Sequence, residues 1–313
     1  MKIIFMGTPD FAVCILEKLI QAKKDIIAVV TAPDKPAGRG RAIQESAVKK
    51  CAVSHNIPTL QPTNLKEEDF IKTLKSYEAD LFVVVAFRML PEVVWSMPPK
   101  GTINLHGSLL PQYRGAAPIN WAVINGEKET GVSTFFIEKE IDTGKIIQQA
   151  KIQIAVNDTV GEVHDRLMHL GADLTLRTVE LIESNDTIPS VDQNSFDLTR
   201  MKHAPKIFKE DCKVDWSKDS KSIHDFIRGL SPYPAAWTNL TNKSSGETRS
   251  FKLFISRQTG VKVTEREIIT SKDGILFPCY DEYLLITEFQ PEGKRRMHFK
   301  EFLAGNTFED WTI

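Results

Sequence analysis

Three polar side chains with complementary chemistry fall within one stretch, Ile103 to Gly144: the amide of Asn104, the imidazole of His106 and the carboxylate of Asp142. An asparagine supplies a fixed N–H donor. A histidine donates or accepts near neutral pH. A carboxylate can orient an imidazole and favour its charged form. Together they suit acyl transfer through a tetrahedral intermediate, with donors facing the developing oxyanion. No side-chain nucleophile accompanies them: there is no G-x-S-x-G elbow, and Ser108 sits in H-G-S-L-L-P instead. Direct attack by a substrate amine is therefore more natural than an acyl-enzyme. The bland reading stays open on spacing alone, because an Asn, a His and an Asp in a long chain are more often structural.

The trio needs elements to position it. Gly101 to Leu105 reads as a short strand, and alternation puts Asn104 and His106 on one face. Gly107 breaks it. Val132 to Ile137 is a second β-branched and aromatic run, with Asp142 just past its end. All three thus fall at strand ends, where open α/β sheets hold their ligands. Upstream, Lys2–Met6 reads as a strand, Asp10–Ala22 as a helix capped by Asp10, and Ile26–Thr31 as a strand. That βαβ unit implies a parallel sheet. Its turn, G-T-P-D-F, lacks the glycines of G-x-G-x-x-G, so a nicotinamide cofactor is disfavoured. Leu81 to Phe87 is nearly all apolar, as a central parallel strand should be.

Residues 32–42 (A-P-D-K-P-A-G-R-G-R-A) mix two prolines, two glycines and three basic side chains, so no regular element is expected there. They read either as a solvated loop or as a basic loop that orders against phosphates. From 184 to 200 periodicity is lost, as in a linker. Beyond it, Ile223, Phe226, Ile227 and Leu230 mark a short helix, followed by short strands (250–256 and 261–264 among them) that suggest a small barrel.

Composition sets bounds. The 313 residues suit about two domains. No apolar run is long enough to span a membrane. Four scattered cysteines without C-x-x-C point to free thiols in a reducing cytoplasm and to no zinc site. With 40 basic and 41 acidic residues the net charge is −1, so a nucleic acid would have to be held by local patches. The clusters 202–209 and 294–296 are candidates, though each alone is most often a solvated face. D-T-G at Asp142 also occurs in aspartic proteases, but those need a second carboxylate, and no second copy exists.

N-x-H-G-S-L-L-P, R-G-A-A-P-I and D-T-G, with the opening I-I-F-M-G-T-P-D-F and the loop P-D-K-P-A-G-R-G-R, resemble the folate-dependent formyltransferases. The version S-L-L-P-Q-Y-R-G-A-A-P-I is most similar to the branch acting on methionyl-tRNA. The resemblance is strong through the amino-terminal two-thirds and weaker after it, at Trp216-Ser217 and around Met297. It implies an α/β chain with a parallel-sheet, Rossmann-like formyltransferase domain at 1–186, a linker at 187–204 and a small OB-like β-barrel domain at 205–313 that binds tRNA. It implies a cytoplasmic, metal-free enzyme, expected as a monomer. The donor would be 10-formyltetrahydrofolate and the acceptor the amino group of methionyl initiator tRNA.

Carried over residue by residue, the resemblance gives Asn104 and His106 the oxyanion, and Asp142 the tasks of fixing His106 and managing protons. Ser108, Leu109, Leu110 and Pro111, with Phe87, Met89 and Leu90, would line the folate site. Lys35, Arg39, Arg41, Lys206, Lys209, Lys294, Arg295 and Arg296 would contact tRNA. Arg88 stands where the family has glycine, a departure at the edge of the folate pocket. A formyltransferase for an amino sugar or a formyl-folate hydrolase would keep the trio but not need the basic loop. A non-enzymatic tRNA-binding protein would use the loop and leave the trio idle.

Overall fold

Ile3, Ile4, Phe5 and Met6 have no exposed surface, so their strand is covered on both faces. That is what the interior of a parallel sheet demands. In the computed structural model, which describes residues 1–37 and 42–313, Lys2–Gly7 pairs parallel with Asp25–Val30 on one side and Leu81–Val85 on the other. Thr59–Leu60 and Thr102–His106 extend the parallel run. Glu129–Phe136 then joins antiparallel to 102–106, and Ile146–Gln153 forms the edge. The direction of chain travel reverses between 2–7 and 81–85, the kind of point where such sheets hold ligands at the strands' carboxyl ends.

The first helix, Asp10–Gln21, buries Phe11, Ala12, Ile15, Leu16 and Leu19, one stripe at helical spacing. Each large side chain among them contributes about 1.5–3 kcal/mol. The helix begins directly over the strand's end. A Cβ on Gly7 would lie 2.7 Å from Ala12 Cβ and 3.0 Å from Val85 O, so glycine alone allows this approach. Pro9, not Asp10, occupies the cap position with extended backbone, and Asp10 lies in the first turn. There its charge complements the helix's positive end.

The expectation of no regular structure at 32–42 is corrected at its flanks. Lys35–Ala37 pairs antiparallel with Ala42–Gln44. A two-stranded ribbon is all edge, which is where a strand tolerates Pro36. Its base is pinned at Asp34, which accepts from Lys49 Nζ and from Gln61 Nε2 at 2.7 Å. Those hydrogen bonds, that of Lys49 first, hold the Asp34 carboxyl below its ordinary range. Lys35 is exposed, whereas Arg39 and Arg41 lie outside the described residues.

The chain divides into two compact units. The first comprises Met1–Gly115, Gly131–Ile152 and Asp165–His203; the second, Ala116–Thr130, Gln153–His164 and Ala204–Ile313. The second unit is built on a curled antiparallel sheet, in the order 269–270, 275–278, 282–291, 248–262, 236–242, 311–312. The two strands expected at 250–256 and 261–264 are one, Thr248–Lys262. Its register against 282–291 shifts between Leu253 and Ser256 and again between Gln258 and Lys262. Such bulges bend a long strand and increase its twist, as a curled sheet requires. The core is aromatic: Phe251, Phe289, Phe302 and Phe308 meet edge-on or tilted. Trp216 stacks on Phe277 at 4.9 Å and donates its indole N–H to Thr238 Oγ1 at 2.9 Å. Among the described residues no helix is long and apolar enough to cross a membrane.

One buried histidine ties this unit together. The helix Ser220–Leu230 carries His224, whose Nε2 donates to Val156 O at 2.9 Å while Nδ1 accepts from Ser256 Oγ at 2.9 Å. Burial pushes its pKa below the ordinary value, assisted by Arg228 and opposed by the Val156 hydrogen bond and Asp225. Above about pH 6.5 the ring is neutral in both folded and unfolded chains, and its contribution is fully present. As pH falls, the unfolded chain takes up the proton first, so stability is lost. Melting temperature should therefore decline below about pH 6.5. That decline should be shallower in His224→Gln; equal slopes in the two proteins would place the titrating group elsewhere.

Candidate active site

Asn104 and His106 occupy alternate positions of the 102–106 strand, at its carboxyl end, in the first unit. His106 is almost wholly buried, and its Nε2 lies 2.9 Å from the carbonyl oxygen of Tyr113. A carbonyl has no proton to give, so Nε2 carries one and donates it. Nδ1 is then the nitrogen left for chemistry. It faces Asp142 Oδ2 at 3.7 Å, with both side chains largely shielded from solvent. That is an electrostatic contact rather than a hydrogen bond. The Asn104 amide is half-buried and makes no hydrogen bond among the described residues. It is an uncommitted donor beside the imidazole.

Asp142 reaches this place by a different route from the one its position after a strand suggests. The 129–136 strand runs antiparallel to 102–106, with Ser133 opposite His106 and Phe136 opposite Ile103. Its carboxyl end therefore lies three pairs away from His106. The 137–145 connection folds back to bring the carboxylate home. Asp142 takes a left-handed backbone conformation, φ 56°. Gly115 N–H donates to its Oδ2 at 2.9 Å. Gly144 completes the return: a Cβ there would stand 1.7 Å from Phe136 O.

The loop after His106 is built to return Tyr113's carbonyl to the ring. Ser108 Oγ donates to Gln112 O at 2.6 Å, and Tyr113 adopts φ 60°. Ser133 Oγ donates to Ser108 O at 2.6 Å and accepts from Leu110 N at 3.0 Å. Gln149 Nε2 donates to Leu110 O at 2.9 Å and to Ser133 Oγ at 2.8 Å. The residues expected along the folate site therefore divide. Ser108 is fully buried and its hydroxyl shapes the loop; Leu110 packs on Phe135 and Ile146; Pro111 is also buried. Leu90 sits in a hydrophobic core cluster of the first unit, against which Phe87 packs partly buried. Leu109 is half-buried and Met89 is exposed. Arg88 donates to the carbonyls of Pro62 and Thr63 and lies over the Phe87 ring at 5.7 Å, tying the 62–63 segment to this edge.

The expected basic contacts divide as well. Within the second unit, Lys206 and Lys209 line a cavity of about 620 Å³ together with Lys252, Tyr233 and Trp237. Arg295 pairs with Glu301; Arg296 pairs with Glu288 at 2.6 Å and stacks over Phe254 at 4.4 Å. Lys294 is exposed at the neighbouring turn. Sequence reading missed Tyr113, Ser133, Gln149 and, in the stretch expected as a linker, buried Gln193. A serine, two glutamines and a tyrosine leave no periodic signal. The partners of the serine and the glutamines, backbone and side-chain atoms alike, lie sixteen or more residues away in sequence.

An amide with no hydrogen bond among the described residues, an imidazole with one nitrogen committed to a backbone carbonyl and a facing carboxylate, at the end of a parallel strand, suit acyl transfer to an amine. Residues 1–179 match the family model described as "Formyl transferase", and 206–307 that described as "Formyl transferase, C-terminal domain". A methionyl-tRNA formyltransferase of Bacteroides thetaiotaomicron is 49% identical over 99% of this chain and 97% of its own; one from Flavobacterium johnsoniae is 47% identical over 99% and 98%. The chain belongs to the formyl transferase family, on the branch whose members bear the name methionyl-tRNA formyltransferase. The fold is shared more widely. An N-formyltransferase from Helicobacter canadensis, solved with folinic acid and dTDP-3-aminofucose, superposes with a TM-score of 0.65 at 19% identity, covering 95% of this chain and 100% of its own. HypX from Aquifex aeolicus, solved with tetrahydrofolic acid, gives 0.65 at 16%, covering 97% and 47%.

Two substitutions test the trio. His106→Ala should lose about 10²–10⁴-fold in turnover, the scale of a lost general base, in a protein that still folds with a somewhat lowered melting temperature because the Tyr113 carbonyl loses its partner. Asp142→Asn keeps an acceptor for Gly115 N–H but removes the charge facing Nδ1. It should slow turnover by about 10²–10⁴-fold and alter the pH–rate profile. Normal turnover in a folded His106→Ala, or an unaltered profile in Asp142→Asn, would assign that residue a structural role.

Proposed function

We propose that this enzyme moves the formyl group of 10-formyltetrahydrofolate onto the free amino group of methionyl initiator tRNA, in the cytoplasm. What carries the reading is the Asn104–His106–Asp142 site in a chain about half identical, over nearly its whole length, to proteins named for that reaction. The folate supplies the electrophilic formyl carbon and a nitrogen leaving group. The site fits that chemistry because Asn104 offers a donor with no other hydrogen bond among the described residues. Asn104 donates to the formyl oxygen as charge develops on it. The incoming amine must lose a proton, and His106 Nδ1 is the ring nitrogen available to take it. Asp142 faces the imidazolium that results, and the proton then passes to the departing folate nitrogen. The new C–N bond to the amino acid replaces the C–N bond to folate, so atoms and charge balance.

In this reading residues 1–186 carry the catalysis, 187–204 form the connection and 205–313 bind the tRNA, although the compact units cut across these bounds: 116–130 and 153–164 fall in the second and 187–203 in the first. Phe87, Met89 and Leu109, which keep exposed surface, give the folate its apolar wall. Lys35, Arg39 and Arg41 meet the acceptor end, and Lys206 and Lys209 hold the backbone further along. Lys294 contributes charge at the rim. Arg295 and Arg296 contribute less, because each already pairs with a glutamate.

The deciding assay supplies purified protein with 10-formyltetrahydrofolate and one of three acceptors: charged initiator tRNA, charged elongator methionine tRNA, or a nucleotide-linked amino sugar. Formylation of the initiator alone is expected. Preference for the sugar, or formate release without any acceptor, would overturn the reading. Replacing Arg39 and Arg41 together by Ala should weaken tRNA use and reduce the log–log salt slope by about two, one for each lost phosphate contact. Folate affinity should hardly move. A collapse of folate affinity with unchanged tRNA kinetics would assign the basic loop to the folate site.

A further inference from the structure

Gln193 lies in a polar stretch without periodicity, yet its side chain is 1% exposed and makes four hydrogen bonds. Its Oε1 accepts from Arg114 Nε at 3.0 Å and Nη2 at 2.8 Å. Its Nε2 donates to the carbonyls of Asp142 at 2.9 Å and Gly144 at 2.7 Å. Arg114 adjoins Gly115, whose N–H holds the Asp142 carboxylate. Asp142 is therefore gripped at both ends: its carboxylate by Gly115 and its carbonyl by Gln193, with Arg114 joining the two grips. Burial lowers the Arg114 pKa from its ordinary value, and the charges of Asp142 and Glu140 oppose that effect. The segment bearing Gln193 is itself fixed to the sheet edge, where Val191 and Ile146 exchange backbone hydrogen bonds at 2.8 and 2.9 Å.

We propose that Gln193 is a positioning residue for formyl transfer, setting the approach of Asp142 to His106 Nδ1. The inference rests on the reading of Asp142 as a catalytic residue. Asp142 has a left-handed backbone, which a non-glycine residue keeps only when its surroundings enforce it. The 137–145 connection is irregular, so no ladder of its own fixes the carboxylate. The position calls for an amide. One end must accept from a guanidinium while the other donates to two carbonyls. Glutamate accepts but cannot donate, and methionine, of similar length, does neither.

The test is a cycle of Gln193→Met and Asp142→Asn, singly and together, read by kcat, KM, the pH–rate profile and the melting temperature of each protein. Gln193→Met should lower kcat by about 10–100-fold, the scale of a misplacement near 1 Å, with KM for folate and tRNA little changed. Its pH–rate profile should shift in the same sense as that of Asp142→Asn. The double variant should be no slower than Asp142→Asn alone, because both changes disable the same group. Gln193→Glu keeps the Arg114 bond but sets an oxygen against two carbonyls; it should show the same kinetic pattern, and it carries the test if Gln193→Met does not fold. Near-normal kcat in a folded variant overturns the proposal, and so does a double variant slower by the product of the single effects. Normal turnover by Asp142→Asn is a separate outcome: it removes the catalytic reading of Asp142 and the proposal with it.

Discussion

The hydrogen bond from His106 Nε2 to the carbonyl of Tyr113 governs the rest of the site. It commits one ring nitrogen to the backbone and fixes the tautomer. A histidine free to rotate would offer either nitrogen and orient neither. With Nε2 occupied, Nδ1 must be served from the opposite side, and Asp142 stands there. The loop conformation, the serine and glutamine pins and the left-handed residues at Tyr113 and Asp142 all follow from placing a carbonyl on one side of a buried ring and a carboxylate on the other.

Two kinds of structure share this task. The parallel strands are rigid because their residues are buried on both faces and paired along their length. They set Asn104 and His106. The segments that bring Tyr113 and Asp142 are irregular, and side-chain-to-backbone hydrogen bonds hold them where ladders cannot. Such bonds are individually modest, about 0.5–1.5 kcal/mol net, but leaving a buried partner unsatisfied costs more. A loop with several of them closes cooperatively around one conformation.

The second unit follows a different logic. An aromatic cluster fills its curled sheet, and His224 bridges helix, strand and the 153–164 segment. Its surface separates lysines that line a cavity from arginines already paired with glutamates. Basic residues of the same unit are thus unequal in the field they offer a phosphate. This is how a chain of net charge −1 can present a local positive face.

Periodicity and composition made the parallel core legible. The all-apolar Leu81–Val85, the glycine after Met6 and the proline opening Pro118–Ile124 behave as their side chains dictate, because burial on two faces and fixed φ angles are local consequences of residue type. Alternation alone put Asn104 and His106 on one face. The sequence also left misleading signals. A break in alternation hid the single long strand Thr248–Lys262, since a bulge adds a residue and reverses the pattern. Proline and glycine in the basic stretch hid the short pairing of Lys35–Ala37 with Ala42–Gln44, in which Pro36 itself takes part. Tertiary structure alone decided which nitrogen of His106 is available, how Asp142 returns to it from the far end of an antiparallel strand, and that Gln193, 51 residues further on, holds the turn. Those facts rest on contacts between backbone atoms and side chains far apart in sequence. A backbone carbonyl is the same in every residue, so nothing in the letters marks which one will be used.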